Sequence, residues 1–450
     1  MKTLVLSFLF LASVGTFAQS SANQKFAVVG ARIIDGRGGA PIENGNLIFS
    51  GDKILAVGPA SQVKVPKGAT VIDGKGKTVI PGLISAHSHL GLVENGKNSA
   101  TAYTRENVLD SLRQYERYGI TSVMSLGVNR DLIFDIRQEQ RDGKLDGATV
   151  FTAGRGIGVP GGAPPIPAQP DQIYRPANPN EARQDVRESV GHRIDIVKVW
   201  IDDMYGKYPK MDPAIYGAVI DEAHKLHTRV AAHVFYLADA KSLMKDGLDV
   251  IAHSIRDQEV DSAAISAMKS HHVIYIPTFT VDESSFAFAR HSEWLQEKFL
   301  SDALSPEERT NFGTGAYREK VKADPTTAKT KAALQVGLKN LKTLSDAGVE
   351  IAMGTDSGAM PARVAGWAEH HELELMVRAG LTPMEALVDA TAHSADVCGT
   401  KDRGTLEAGK RADFLLLKAD PLVNIRNTRA IEGVWHNGKP VPGAEIQTTP

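Results

Sequence analysis

Short apolar runs recur along the middle of the chain and alternate with amphipathic stretches. The apolar runs lie at 78–86, 120–126, 149–153, 194–200, 229–235, 249–255, 272–279 and 349–354. Between most of them, apolar residues follow helical spacing, at 107–118, 213–226, 238–246, 332–346 and 383–395. Eight strands that are mostly followed by helices predict an α/β fold, a closed parallel (β/α)8 TIM barrel over residues 78–399.

An open, doubly wound sheet is the alternative arrangement of such a repeat. That fold usually carries a glycine-rich phosphate loop after its first strand. Here the first strand leads to His87 and His89 instead, so we favour the barrel.

Two long connections follow strands and are therefore expected on the C-terminal face of the barrel. Residues 154–180 are rich in Gly and Pro and should lack regular structure. Residues 281–330 are charged and should be helical, with few core positions. Both are interpreted as lids or pocket walls, with disordered decoration as the alternative.

The two ends of the chain have a different pattern. Residues 19–77 and 400–450 hold short apolar strands separated by turns such as Asp35-Gly36. Each piece is too short to enclose a core alone. We therefore expect both pieces to pair into one small β-sandwich domain.

Residues 1–18 have the features of a secretory signal peptide. Lys2 provides a positive start, residues 4–11 an apolar stretch, and Ala18 the end of a small-residue cleavage site. No later run reaches the roughly 20 apolar residues that a membrane span requires. Cys398 is the single cysteine, which excludes an intramolecular disulfide. The sequence predicts an exported protein, periplasmic or secreted, without a membrane span.

Charge and composition narrow the classes of partner. The 51 Lys and Arg residues nearly balance the 53 Asp and Glu residues, and no basic run is interleaved with aromatic residues. A nucleic-acid partner is therefore not indicated. With 42% hydrophobic residues among 450, the chain can build a large core without disulfides.

Polar side chains lie at the predicted ends of five of the eight strands. They are His87, His89, Lys198, His233, His253 and Asp356. Residues i and i+2 of a strand face the same side, and the strand ends of a parallel barrel converge. Singly, each residue has an ordinary reading: a hydrogen-bonded histidine, a lysine paired with an acid, or a helix-capping aspartate. Together, at equivalent positions, they favour a metal site.

Several longer motifs accompany these residues. They are Val79-Ile-Pro-Gly-Leu-Ile-Ser-Ala-His-Ser-His, Gly354-Thr-Asp-Ser, Leu381-Thr-Pro-Met-Glu-Ala-Leu and Gly404-Thr-Leu-Glu-Ala-Gly-Lys-Arg-Ala-Asp-Phe. With them, the chain resembles the amidohydrolase superfamily, and most closely its imidazolonepropionase-like and prolidase-like branch. The resemblance covers nearly all of the chain after the signal peptide.

The resemblance implies a site with two divalent metal ions, usually zinc. His87, His89 and Asp356 would hold one ion. His233 and His253 would hold the other, and Lys198 would bridge the two as a carbamate. The surroundings of Lys198 agree with this role, because burial between Val197 and Val199 should lower the pKa of its amine. A neutral amine can react with carbon dioxide to give the carbamate.

The function predicted from these residues is that of an exported, metal-dependent amidohydrolase. It would cleave the C–N bond of a small amide, a cyclic amide or an N-acyl amino acid by means of a metal-bridging hydroxide, with Asp356 moving the proton. Lactone or ester hydrolysis at the same site is an alternative, and so is a non-catalytic binding protein that retains the fold. Deamination is disfavoured, because such relatives place a catalytic acid where this chain has Tyr236, and they lack the lysine.

Substrate-binding candidates lie just beyond the strand ends. Tyr236 and Arg256 each follow a site histidine by three residues, and they could hold a substrate carboxylate or serve only as structural partners. Asp202 follows the lysine strand, where peptide-cleaving relatives often have a small turn. An acid there disfavours an anionic substrate end and puts a dipeptidase in doubt.

Two further features concern partners. His370 and His371 follow Asp356 closely enough to reach a small-molecule substrate, although a solvated or capping role is the simpler expectation. Relatives are commonly homo-oligomers, but no coiled-coil heptad marks an interface in this chain.

Overall fold

The computed structural model describes residues 24–444. The predicted signal peptide, residues 1–18, lies outside this part of the chain. Over the described range, no helix combines the length and apolarity that crossing a bilayer demands.

Strands dominate both ends of the described chain, and strands alternate with helices between them. The strands are β1 (Lys25–Ile33), β2 (Ile42–Ser50), β3 (Lys53–Pro59), β4 (Thr70–Asp73), β5 (Thr78–Pro81), β6 (Leu83–Ser88), β7 (Val93–Glu94), β8 (Lys97–Asn98), β9 (Ile120–Ser125), β10 (Thr149–Thr152), β11 (Val197–Trp200), β12 (Val230–His233), β13 (Val250–Ala252), β14 (Ile274–Ile276), β15 (Phe414–Leu417), β16 (Ile431–His436) and β17 (Lys439–Pro440). The α-helices are α1 (Arg105–Arg117), α2 (Leu132–Arg141), α3 (Pro179–Gly191), α4 (Pro213–Lys225), α5 (Leu237–Lys245), α6 (Ser262–Ser270), α7 (Thr280–Glu283), α8 (Ala287–Arg290), α9 (Lys298–Ser301), α10 (Pro306–Gly313), α11 (Gly315–Ala323), α12 (Thr327–Asp346), α13 (Trp367–Arg378), α14 (Pro383–Val388) and α15 (Ser394–Val397).

Both chain ends contribute to one sheet, as their shared pattern indicated. Its strand order is β17-β16-β15-β5-β1-β2-β3, and β4 pairs in parallel with β1. In its core, the ring of Phe414 stacks on Trp435 at 4.9 Å between centroids and meets Phe49 edge-on at 5.3 Å. The structure assigns a single eight-stranded sheet here, so the second layer of a β-sandwich stays a prediction.

Parallel strands occupy the positions of the apolar runs in the middle of the chain. One sheet contains β10, β9 and β6, and another contains β11 to β14. The last run is represented by Ile351, which bridges in parallel to Tyr275 of β14. Backbone hydrogen bonds connect these parts, among them one from the N–H of Ala86 on β6 to the carbonyl of Met353 in the last run at 2.8 Å and one from the N–H of Asp195 before β11 to the carbonyl of Thr152 on β10 at 2.9 Å. The fold is therefore mixed α/β with a parallel centre, and full closure of the barrel stays a prediction.

The first apolar run belongs to both parts of the structure. Its beginning, β5, pairs with β1 and β15 of the terminal sheet, whereas β6 pairs with β9. The break falls at Gly82, where a Cβ atom would lie 2.2 Å from Oγ1 of Thr121. Glycine lets the chain pass closely between the two sheets at this point. The predicted barrel start at residue 78 thus lies within a stretch that serves both parts.

Most predicted helices are present at the predicted positions, including α1, α4, α5 and α12. The helix predicted at 383–395 is interrupted, because α14 ends at Val388 and a π-helical turn, Asp389–His393, precedes α15. After this turn, the backbone N–H of Met353 donates to Oγ of Ser394 at 3.1 Å. The interruption therefore places a hydroxyl against the last apolar run.

The structure matches the prediction for the first long connection and corrects the prediction for the second. Residues 154–180 hold only a 3-10 turn, Pro170–Gln172, and the first residues of α3, as expected. Residues 281–330 are helical, but the expectation of few core positions is wrong. Phe286, Phe288 and Phe299 are buried, and the ring of Phe288 lies 5.6 Å from Trp367 of α13. These aromatic residues lack helical spacing, so the periodicity of the sequence did not mark them as core positions. The connection is a packed layer.

Candidate metal centre

The predicted ligand side chains lie at the C-terminal ends of the parallel strands. His87 is on β6, His89 follows it, Lys198 is on β11, His233 ends β12, His253 follows β13, and Asp356 lies beyond Ile351. All are buried, with exposed fractions between 0% for Lys198 and 7% for Asp356. Burying so many polar groups together is costly unless they pair with one another or with an ion.

Short distances join the histidines and the aspartate. Oδ1 of Asp356 lies 2.9 Å from Nε2 of His89 and 3.2 Å from Nε2 of His87. Ring centroids are 4.5 Å apart between His87 and His253, and 4.2 Å apart between His253 and His233. Ligand atoms of His87, His253 and Asp356 all lie within 4.8 Å of one another. His253 is a predicted ligand of one metal ion, and His87 and Asp356 are predicted ligands of the other. The short distances among these three residues place the two predicted ligand sets side by side.

Lys198 is buried and forms no ion pair within the described chain. Its Nζ atom has no hydrogen-bond partner among residues 24–444, and the Trp200 ring centroid lies 5.5 Å from it. Burial lowers the pKa of its amine to about 7. Burial first, and then the charge on Lys198, lower the pKa of His87 to about 3. The alternative role of pairing with an acid is not seen in the described chain.

Hydrogen bonds orient the histidine rings. Nδ1 of His89 lies 3.2 Å from the carbonyl oxygen of Gly127, and since a carbonyl only accepts, Nδ1 carries a proton. Nε2 of His89 is therefore the nitrogen available to a metal, on the side of Asp356. Nδ1 of His253 lies 2.6 Å from Oγ1 of Thr278. Despite the approach of Asp356, neither ring nitrogen of His87 makes a hydrogen bond of acceptable geometry within the described residues. Oriented imidazoles with a free lone pair are the form that binds metals.

The protonation states also suit a cation. Burial lowers the pKa of His233 and lowers that of His253 well below its usual value. Burial opposes ionisation of Asp356, but the Arg363 guanidinium and the adjacent rings of His87 and His89 hold the pKa of this carboxyl well below its usual range. At neutral pH His87, His233 and His253 are therefore neutral imidazoles beside a carboxylate, as metal binding requires.

Backbone strain is concentrated at the same place. His253, Thr278 and Asp356 have φ values of 76°, 47° and 57°, in the left-handed region that residues other than glycine rarely adopt. Such conformations persist where the surrounding structure imposes them, and they cluster at functional sites. Three residues with left-handed backbone at neighbouring strand ends therefore indicate a functional site.

The predicted substrate-binding residues are engaged by other protein groups. Arg256 is buried, and its Nε lies 3.0 Å from Oδ2 of Asp282, which matches the structural alternative. Oδ2 of Asp202 lies 3.2 Å from Nε2 of His233. Tyr236 donates its hydroxyl hydrogen to Oδ1 of Asp203 at 2.9 Å. Asp202 therefore contacts a candidate ligand directly, whereas Arg256 and Tyr236 pair with neighbouring acids.

His370 and His371 lie on α13 and are buried, so the expectation of solvated rings is wrong. His370 bonds through Nδ1 to Oγ1 of Thr428 at 2.9 Å and through Nε2 to the carbonyl oxygen of Tyr118 at 2.8 Å. His371 pairs with Glu283. These contacts fix the packing of α13.

Arg363 is a functional candidate that the sequence reasoning missed. Its guanidinium contacts Asp356, and its Nε is buried without a hydrogen-bond partner among the described residues. It also lines a cavity of about 590 Å³, together with Gly91 and Gly358, which each lie two residues beyond a candidate ligand. Five acidic side chains line the same cavity: Glu94, Glu106, Asp110, Asp302 and Glu308. An anionic group would therefore be favoured only beside Arg363.

The chain belongs to the amidohydrolase family, whose sequence profile it matches over residues 78–441. An imidazolonepropionase of Alkaliphilus metalliredigens is 35% identical over 112 residues, which are 19% of this chain and 26% of that protein. The chain thus aligns with about a quarter of that relative. A 5-methylthioadenosine/S-adenosylhomocysteine deaminase of Bacillus cereus is 24% identical over 411 residues, covering 84% of this chain and 81% of the deaminase.

Solved structures share the fold over nearly the whole chain. A putative prolidase from Bifidobacterium longum has a TM-score of 0.73 at 24% identity, covering 95% of this chain and 96% of the prolidase. Ochratoxinase from A. niger has a TM-score of 0.72 at 21% identity, covering 93% of this chain and 95% of the ochratoxinase. The resemblance to the imidazolonepropionase-like and prolidase-like branch is confirmed. Family membership supports a hydrolase that acts on C–N bonds.

Proposed function

We propose that this protein is a metal-dependent hydrolase that cleaves the C–N bond of a small amide, a cyclic amide or an N-acyl amino acid. The observation that carries the proposal is a buried lysine that pairs with no acid among residues 24–444, in a site with a cluster of histidines and one aspartate. A buried ammonium without a counter-ion destabilises a fold, so Lys198 has no evident structural purpose there. A pair of cations gives every member of the cluster a role.

The residues present fit two divalent metal ions, and zinc suits ligands of this kind. His87, His89 and Asp356 would hold one ion, and His233 and His253 the other. Lys198 would serve both as a carbamate, which forms from the neutral amine that burial favours. When bound, the ions supply a hydroxide nucleophile at neutral pH and polarise the substrate carbonyl.

Asp356 would move the protons of the reaction. Its carboxyl is held in the ionised form, so it can accept a proton from the attacking water. The same carboxyl can then return the proton to the leaving nitrogen, which must depart as a neutral amine. Arg363 contacts this carboxylate and would keep it oriented.

The surroundings support a substrate with an anionic group near the scissile bond. Arg363 offers a donor without a partner in the described chain, beside the residue assigned to proton transfer. A carboxylate of an N-acyl amino acid could accept from its guanidinium. Solved relatives are named prolidase, ochratoxinase, molinate hydrolase and phenylurea hydrolase, so the fold alone does not select the substrate.

We extend the proposal to the architecture and the location of the protein. The hydrogen bonds from Ala86 to Met353 and from Asp195 to Thr152 support closure of eight strands into one barrel. The features of residues 1–18 support export to the periplasm or the medium.

The test combines metal analysis with turnover of matched amide and lactone panels. The wild-type chain should bind two divalent ions and hydrolyse members of the amide panel. Lys198→Ala should lose both properties, with partial rescue by short carboxylic acids that replace the carbamate. Lys245→Ala, on the exposed side of α5, is the matched control and should behave as wild type.

Each other outcome points elsewhere. An active, fully metallated Lys198→Ala would refute the bridging role. One tightly bound ion per chain would favour a mononuclear enzyme of the deaminase kind. Turnover of lactones without turnover of amides would favour the ester alternative, and full metal loading without any turnover would favour a binding protein.

A further inference from the structure

Asp202 lies against a candidate metal ligand and is not free for a substrate. It follows β11 by two residues and is 3% exposed. Its Oδ2 lies 3.2 Å from Nε2 of His233, and its Oδ1 accepts a hydrogen bond from the backbone N–H of Met204 at 3.0 Å. Because the protein engages both oxygens, the carboxylate is held in one orientation.

This contact determines which nitrogen of His233 carries the proton. A carboxylate can only accept hydrogen bonds, so Nε2 carries the hydrogen and Nδ1 presents its lone pair. His89 shows the opposite arrangement, since its Nδ1 lies 3.2 Å from the carbonyl oxygen of Gly127 and its Nε2 faces Oδ1 of Asp356, the predicted ligand of the same ion, at 2.9 Å. The two predicted ligand sets therefore offer imidazoles through different ring nitrogens.

We propose that Asp202 is a positioning residue that holds His233 as an Nδ1 ligand and strengthens the metal position shared by His233 and His253. This inference rests on the proposed function. A carboxylate behind an imidazole fixes the tautomer and raises the basicity of the ligating nitrogen, and loss of such a partner typically weakens metal binding by about 10- to 100-fold. The buried charge of Asp202 also helps to balance the cations.

The neighbouring acid provides a matched control. Asp203 has the same side chain one residue later, but it accepts from the hydroxyl of Tyr236 at 2.9 Å. Replacing either acid with Asn changes the charge of the chain equally. Only replacement of Asp202 should disturb a metal ligand.

The experiment titrates the metal-stripped, full-length protein with Co²⁺ in bicarbonate buffer and in the presence of a competing chelator. Visible absorption reports the environment of each bound equivalent. For Asp202→Ala, one equivalent should bind about 10- to 100-fold more weakly than in the wild type and show a shifted absorption band, while the other is unchanged. Asp202→Asn, whose amide oxygen can still accept from Nε2, should show a smaller effect, and Asp203→Asn should match the wild type.

The remaining outcomes separate this inference from the proposed function. If the wild type binds two equivalents and Asp202→Ala binds them with the same affinities and spectrum, the positioning role is wrong and the metal pair stands. If both equivalents weaken equally and thermal stability falls, Asp202 is merely structural. If the wild type binds fewer than two equivalents, the proposed metal pair fails and this inference fails with it.

Discussion

Nδ1 of His253 and Oγ1 of Thr278 lie 2.6 Å apart, and both residues have left-handed backbone. His253 directly follows β13, and Thr278 lies just beyond the adjacent strand β14. The hydrogen bond between them holds the imidazole beside His87, whose ring centroid lies 4.5 Å away. Strained ends of two adjacent strands thus orient one candidate metal ligand.

Replacing Thr278 with Val should weaken metal binding. Valine keeps the shape and β-branching of threonine but removes the hydroxyl, so the imidazole loses its orienting partner. We expect a fall in divalent-metal affinity of about 10-fold or more, measured by competition with a chelator. Thr278→Ser keeps the hydroxyl and should bind metal like the wild type. A Val variant with wild-type affinity would show that the ring needs no such support.

Arg363→Met should discriminate between substrates by charge. If Arg363 binds a substrate carboxylate, its loss should raise KM for carboxylate-bearing amides by about 10- to 100-fold relative to neutral analogues of the same amide, the range expected for a charge-assisted hydrogen bond. Taking the ratio of the two KM values cancels any general effect on Asp356. Arg378→Met is the control, because Arg378 of α13 pairs with Glu283 instead. An equal rise for both substrate types would rule out anion recognition.

Gly354→Ala should disturb the candidate site by crowding. A Cβ atom at residue 354 would lie 2.7 Å from Cβ of His87 and 2.7 Å from Cγ2 of Ile276, closer than real contacts allow. We expect a loss of about 1–3 kcal/mol in the free energy of unfolding, measured in urea, and a reduced metal content. Gly191→Ala is the matched control, because no atom lies within 4 Å of the added methyl group. Unchanged stability and metal content at residue 354 would contradict this close packing.

Lys198→Met should change how the stability of the metal-free protein depends on pH. In the folded protein, burial lowers the pKa of Lys198 to about 7 from an ordinary value of 10.5. Between these values the unfolded chain binds a proton that the folded chain does not, so the free energy of unfolding should rise with pH across this window. Below it, the buried ammonium is present at its full cost.

The methionine variant should lose this rise and be more stable than the wild type at pH 7, while failing to bind the metal pair. Urea unfolding of chelator-treated protein at several pH values measures the effect. Lys269→Met, on the exposed face of α6, should retain the wild-type slope. A wild-type slope in Lys198→Met would mean that this amine is not the group responsible.

The strand ends were predictable because two simple rules suffice to place them. Apolar runs of strand length mark the strands, and parallel strands bring their C-terminal ends together. His87, Lys198 and His233 therefore lie where the sequence placed them, at the ends of or within β6, β11 and β12. Spacing alone said less about the residues beyond the ends, since Asp282, the partner of Arg256, lies 26 positions further on.

Arg363 was missed because it lies in a loop without periodicity. The chain turns back after Asp356, and only that turn brings Arg363 to the carboxylate. One signal was present in the sequence, because Arg363 is the single charged residue in the stretch 357–366. The π-helical turn Asp389–His393 had no such signal, since it follows from contacts between distant parts of the chain.

The passage of one stretch of chain through two sheets has a practical consequence for protein engineering. Gly82 connects β5 to β6, the strand that carries His87. β5 itself pairs with β1 on one side and with β15 on the other. A minimal fragment designed to keep only the ligand-bearing strands would leave β5 without both of its neighbours and remove the anchor of the first histidines. Truncations should therefore spare β1 and β15, because these two strands, far apart in the sequence, hold the stretch of chain that leads into the centre.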